Sequence, residues 1–219
     1  MGSRSESTVP TSNRAIVFRS EIDQATRYTR EWGGKVRDKL KTEGVETFDY
    51  EDADANPVNF VDSLKNHDPL AVFLFDHGSE CDVYGEQQNQ LAPLLSMYNA
   101  DLTKDRVVAV VACSSAKLLG PRCVREGCVA YHGYDEPFGF YTWTTYYNAF
   151  KECAIEVFIK LAEGQSFRQG HNSSQAKMRH YMQEWLRRPP DNRAPYAIAA
   201  MRSNKKCQKL LGNANATIK

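Results

Sequence analysis

Two short segments carry the residue types of nucleophilic catalysis. Phe75-Asp76-His77-Gly78-Ser79 follows the apolar run Pro69 to Phe75, and Val111-Ala112-Cys113-Ser114-Ser115 closes a second apolar run that begins at Arg106. A thiolate is a strong nucleophile, and an imidazole titrating near neutral pH can both favour the thiolate and hand a proton to a leaving group. Gly78 has no side chain, so a substrate carbonyl can approach its backbone; the N–H groups of Gly78 and Cys113 can then hold a developing oxyanion. The chemistry implied is acyl transfer, with attack by Cys113, protonation of the departing amine by His77, and release by water. Either segment alone is unremarkable, since most free cysteines are small buried hydrophobes and a histidine can simply end a strand. Their significance lies in closing successive buried strands, 36 positions apart (77 to 113).

Those strands belong to an alternating series. Arg14 to Arg19 reads as a strand, and Glu21 to about Thr42, with Tyr28, Trp32, Val36 and Leu40 four apart, as an amphipathic helix. Val45 to Tyr50 is a second strand, Asn56 to Asn66 a helix opened by Asn56-Pro57, and Pro69 to Phe75 a third strand. Arg106 to Ala112 and Cys128 to His132 follow as fourth and fifth strands, with a helix from Ser114 to Glu126 between them. Tyr84 to Ala100 is expected to be partly helical, the stretches from Trp143 to Leu161 and Ser166 to Leu186 helical, and Pro195 to Met201 a last strand. Alternating strands and helices with continuous apolar runs predict an α/β fold, a three-layer sandwich around a mostly parallel sheet. In such a sheet the carboxyl ends of the strands share one edge, which is where His77 and Cys113 would meet.

Bulk properties exclude several function classes. Lys plus Arg number 28 against 27 Asp plus Glu, a net charge of +1, so no global field attracts nucleic acid or an anionic membrane. No run approaches the roughly 20 apolar residues of a membrane span, and the polar first 13 residues do not resemble a secretion signal, so a cytoplasmic location is expected. The six cysteines are then expected to be reduced. Cys123 and Cys128 form the only close pair, without a second pair or His pair to complete a metal site, so no metal or other cofactor is expected. With 219 residues and no linker, the chain divides into a tail over 1–13 and a single domain over 14–219.

His-Gly ending one strand and Ala-Cys ending the next resembles the caspase–gingipain clan of cysteine peptidases (clan CD), and most resembles its CHAT-type, separase-related members. Ser115 fits the small residue common just past the nucleophile there, and Leu118 to Tyr131 looks like the helix and strand that follow it; the likeness extends from Arg14 to about Leu211. It implies a caspase-hemoglobinase-like fold and a regulatory or defence-type endopeptidase acting on one or a few protein targets, with an activating protein partner in some members. In separase-like sequences an acidic residue in the loop after the fifth strand contacts the basic residue before the scissile bond. Asp135 matches that position, with Glu136 beside it, which implies cleavage after Arg or Lys. The Gln-Ala-Cys-x-Gly pattern of true caspases is absent, which argues against aspartate-directed cleavage. Rival readings are a catalytically inactive caspase-like adaptor using the same cleft, and a flavodoxin-like binding module. Against the latter, Arg19-Ser20-Glu21 stands where a Gly-rich phosphate loop would be. A serine hydrolase is disfavoured because no G-x-S-x-G elbow occurs.

Overall fold

A computed structural model describes residues 13–219, so the tail expected over 1–13 lies, up to residue 12, outside the described residues. The chain opens with β1 (Arg14–Arg19), whose RAIVFR sequence is buried from its second residue onward. Helix α1 (Gln24–Thr42) starts at Asp23, whose side chain accepts from the Thr26 N–H while the Thr26 hydroxyl accepts from the Asp23 N–H. This reciprocal cap satisfies two donors that a helix start leaves without intrahelical partners. Next come β2 (Glu46–Glu51), α2 (Pro57–His67) capped by Asn56, and β3 (Ala71–Phe75). A hairpin of β4 (Asp82–Gln87) and β5 (Gln90–Ser96) leads to β6 (Val107–Val111), α3 (Leu119–Arg125) and β7 (Ala130–Tyr134). The remainder is α4 (Thr144–Ala162), α5 (Phe167–Arg187), α6 (Ala194–Cys207) and β8 (Gln208–Gly212).

The main sheet has the order β2-β1-β3-β6-β7-β8, parallel throughout except for the antiparallel β7–β8 pair. Alternate strand residues face opposite layers, as the period of two requires. Val17, Phe73, Phe75 and Val111 pack with Trp32 and Val36 of α1 and Val157 and Phe158 of α4. Ile16, Phe18, Leu74 and Val110 pack with Phe60 of α2, Val83 and Leu94 of the hairpin, and Leu119 of α3. Each fully buried aromatic of this kind contributes about 1.5–3 kcal/mol by leaving water. A third cluster, with Phe150, Met178, Trp185 and Met201, joins α4, α5 and α6. The expected three-layer α/β sandwich is what forms, and no helix among the described residues is long and apolar enough to cross a membrane.

Several expected elements change. The partly helical stretch from Tyr84 to Ala100 is instead the β4–β5 hairpin, turned by Gln88 and Asn89, both in the left-handed region (φ 54° and 61°). The helix expected from Ser114 is confined to Leu119–Arg125, because the preceding residues form a tight turn against β7. The strand expected over Pro195 to Met201 is part of α6, where Ala197, Ile198 and Met201 share a buried face. The strand that completes the sheet is β8, whose sequence QKLLG is only partly buried.

Candidate active site

The register of β3 against β6 pairs Phe75 with Val111. His77 and Cys113 each lie two residues further on, so both leave the same edge of the sheet at the same level. The Asp76 N–H donates to the Val111 carbonyl at 3.3 Å and extends the ladder one step past the strands. Gly78 then lies against the Cys113 backbone. A Cβ there would sit 2.6 Å from the Cys113 carbonyl oxygen and 3.3 Å from its nitrogen, so only glycine fits.

Cys113 is partly exposed, and its thiol points to the Phe138 carbonyl at 3.8 Å. The next residue, Ser114, is in the left-handed region (φ 55°), which turns the chain sharply out of β6. That turn is pinned from β7 and beyond: the Ser114 N–H donates to the Glu136 carbonyl at 3.1 Å and the Ala116 N–H to the Tyr134 carbonyl at 2.9 Å. The other thiols differ sharply. Burial pushes Cys123, Cys128 and Cys153 up to about 12 and Cys207 up to about 11, which leaves them inert as nucleophiles. Only Cys81, exposed in the loop after His77, shares with Cys113 access to solvent.

The imidazole of His77 has a partner that sequence reasoning missed. Its Nε2 lies 2.8 Å from Oδ2 of Asp23, the N-cap of α1. The Asp23 carboxylate is thereby shared, Oδ1 serving the Thr26 N–H and Oδ2 the ring. Partial burial pushes this carboxyl up, but the Thr26 N–H and His77 together outweigh burial and hold it below the usual carboxylate range. An ionised acid on Nε2 fixes the ring's orientation and tautomer and leaves Nδ1 as the nitrogen not engaged by Asp23. The signal in the sequence was an ordinary helix cap, Asp-x-x-Thr, which gives no hint of an imidazole 54 positions away.

Beneath His77 is a second acid. Asp76 is 5% exposed; its Oδ1 accepts from the His77 main-chain N–H at 2.6 Å and its Oδ2 from the hydroxyl of Ser20, itself fully buried. Burial pushes the Asp76 carboxyl up to about 7, against the opposing pull of Ser20 and His77.

Asp135 and Glu136 follow β7 directly and border a cleft of about 430 Å³ with Pro137, Ser203, Lys206 and Lys209. Asp135 is not an open charge there: its Oδ2 pairs with Lys209 Nζ at 3.1 Å. A second cleft, of about 300 Å³, lies between the start of α1 and residues 138–142, with Tyr28, Phe138 and Phe140 as its aromatic walls. His132, at the third position of β7, is buried behind this edge beside His171, with ring centroids 6.2 Å apart, and does not reach the site's surface. No cluster of three or more His, Cys, Asp or Glu side chains among the described residues could hold a metal ion.

No family model and no curated relative matches this sequence. Solved structures do match. The Arg-specific cysteine proteinase gingipain R superposes with a TM-score of 0.63 over 95% of this chain and 48% of the other, at 11% identity. The Porphyromonas gingivalis complex of the RgpB pro- and mature domains gives 0.62 over 93% and 48%, also at 11% identity. The chain thus spans about half the length of the solved chains it resembles. At this identity the likeness is one of fold, and this chain has the caspase/gingipain-like fold.

Proposed function

We propose that the chain is a cysteine endopeptidase in which Cys113 and His77 form the catalytic dyad, with Asp23 orienting the imidazole. The observation that carries this reading is the β3–β6 register, from which a thiol and an imidazole leave one sheet edge at one level, the imidazole backed by a carboxylate. The Cys113 sulfur attacks the peptide carbonyl carbon, and the tetrahedral oxyanion takes hydrogen bonds from the N–H groups of Gly78 and Cys113. The C–N bond breaks as the imidazolium of His77 protonates the amine, leaving a thioester. Water, deprotonated by His77, attacks the thioester and restores the thiol. The chemistry calls for no metal or organic cofactor.

On this reading Asp135, with Glu136 beside it, receives an Arg or Lys side chain before the scissile bond, and the Arg specificity of gingipain R points the same way. Lys209 is a stand-in for that side chain, because an incoming guanidinium can displace its single ammonium contact with a bidentate pair. The aromatic cleft supports a second reading, cleavage after a large apolar residue, since the Phe138 carbonyl that meets the Cys113 thiol belongs to its wall. The CHAT-type likeness extends the proposal to a cytoplasmic, single-domain regulatory or defence enzyme over residues 14–219, acting on few protein targets under the control of an activating partner.

The test is fluorophore release from peptides with Arg, Lys, Phe, Asp or Asn before the reporter. We expect cleavage after Arg and Lys, reduced on the order of 10³-fold or more in Cys113→Ala. Asp135→Ala should raise KM for Arg peptides about tenfold or more, and Lys209→Met should lower it several-fold. Cleavage after Phe alone would move specificity to the aromatic cleft. Silence with every peptide, and identical lysate digests for wild type and Cys113→Ala, would leave the adaptor reading.

A further inference from the structure

Asp76 stands out as a buried carboxyl that the peptidase mechanism leaves unused. It sits one residue before His77, and each of its oxygens is taken by a different segment. Oδ1 accepts from the His77 main-chain N–H, and Oδ2 from the hydroxyl of Ser20. Ser20 follows β1 directly and precedes, by three residues, the Asp23 that meets the His77 ring. One carboxyl therefore ties the backbone of the histidine to the turn that carries the histidine's orienting acid.

Among the described residues no lysine or arginine pairs with it. The neighbouring guanidinium of Arg19 is committed to Asp49, at 2.8 and 2.7 Å, and to Glu51. The charged groups whose fields reach Asp76 are His77 on its own strand end and Asp23 from the cap of α1. The two hydrogen bonds need an acceptor for the His77 N–H and a second polar atom for the Ser20 hydroxyl, and one carboxyl supplies both.

We propose that Asp76 is a positioning residue for His77: its carboxyl clamps the histidine backbone to the β1–α1 turn that carries Asp23, so that the ring is held on the Asp23 carboxylate. This role rests on the dyad reading, but its primary readout does not need enzymatic activity. Asp76→Ala removes the clamp, whereas Asp76→Asn retains one, the amide oxygen accepting from the His77 N–H and the amide nitrogen donating to the Ser20 hydroxyl. Titration of the His77 imidazole by NMR, in a Cys113→Ala background, should move to lower pH by about half a unit or more in Asp76→Ala, as the ring loosens from Asp23, and stay near the wild-type position in Asp76→Asn. In the active enzyme Asp76→Ala should lower kcat about tenfold with KM changed less than twofold, and Asp76→Asn should retain most of it. If Asp76→Ala does not fold, Ser20→Ala serves instead. It removes one arm of the clamp, so His77 should shift in the same direction by a smaller amount. A folded Asp76→Ala protein with an unmoved His77 titration overturns the inference even if peptides are cleaved. Absence of Cys113-dependent cleavage overturns the peptidase reading and leaves the titration to decide Asp76.

Discussion

At the scale of single residues, the proposed site combines three side chains, Cys113, His77 and Asp23, of which two announce themselves in the sequence. His77 and Cys113 are legible because each follows a run of apolar residues long enough for a buried strand, and strand ends in a parallel sheet are places of display. Asp23 is not, because its sequence context fully explains it as a helix cap, and no local pattern encodes a partner in another strand. Asp76 is hidden for the opposite reason: a charged residue at the end of an apolar strand reads as the start of a loop, yet here it is buried. Asp23→Asn separates the two tasks of the cap residue. The amide still accepts from the Thr26 N–H, so α1 should keep its thermal stability within about 0.5 kcal/mol. The ring loses its anionic partner, and we expect kcat to fall about 10- to 100-fold in the peptide assay. An unchanged kcat would remove Asp23 from the catalytic chain.

The elements show where pattern reading succeeds and where it fails. Strands β1, β3 and β6 are continuous apolar runs buried on both faces, and nothing else of that length fits them. The hairpin is hidden in the sequence because its turn is Gln88-Asn89 rather than a Gly-containing pair, so the usual signal for two residues at positive φ is missing. Helix α6 passes for a strand because Tyr-Ala-Ile-Ala-Ala-Met is too short to show its period, and the Pro that opens the helix also fits a strand start. The hairpin matters to the site, since the Tyr84 N–H donates to the His77 carbonyl at 3.0 Å and the Ser79 N–H to the Asp82 carbonyl at 2.8 Å. Its fit depends on Gly85, where a Cβ would collide with the Ala55 carbonyl and with Leu94. Gly85→Ala should therefore cost about 1–3 kcal/mol in urea unfolding, with faster hydrogen exchange concentrated at 82–96. Uniform exchange across the chain would mean that the hairpin is not a separate unit of stability.

Across the whole molecule, two buried titrating groups lean in opposite directions. Asp76 ordinarily titrates near 3.8 but is raised to about 7 in the folded chain, chiefly by burial. As pH falls from 7 towards 4 the folded form takes up this proton first and gains stability, by up to about 1.4 kcal/mol per pH unit. His132, fully buried beside His171, is lowered by burial from 6.5 to about 3, so between those values the unfolded chain takes up its proton first and stability is lost. His171 is lowered in the same direction, also chiefly by burial, and adds to the loss. The opposing slopes overlap between about pH 4 and 6.5, where Asp76 offsets one of the two histidines and we expect the wild type to lose stability only gradually. Asp76→Asn removes the compensating slope, so its urea midpoint should start to fall as soon as pH drops below about 6.5. His132→Phe removes the main opposing slope and leaves Asp76 against His171, so its midpoint should be the least sensitive to acid of the three over the same range; parallel profiles for all three proteins would contradict both assignments.

The placement of β8 governs the order in which this molecule can be completed. Among the described residues it is the last strand, it borders the sheet, and α4, α5 and α6 separate it from β7, its only partner there. Joining segments so far apart must wait for a long loop to close, whereas β1, β3 and β6 can assemble around nearer neighbours. A chain emerging from the ribosome, or refolding from urea, therefore has its His77 and Cys113 ends side by side while the flank of β7 is still bare. That flank accepts any free strand, including β8 of another copy, so refolding at high protein concentration should yield strand-exchanged dimers that dilute refolding avoids.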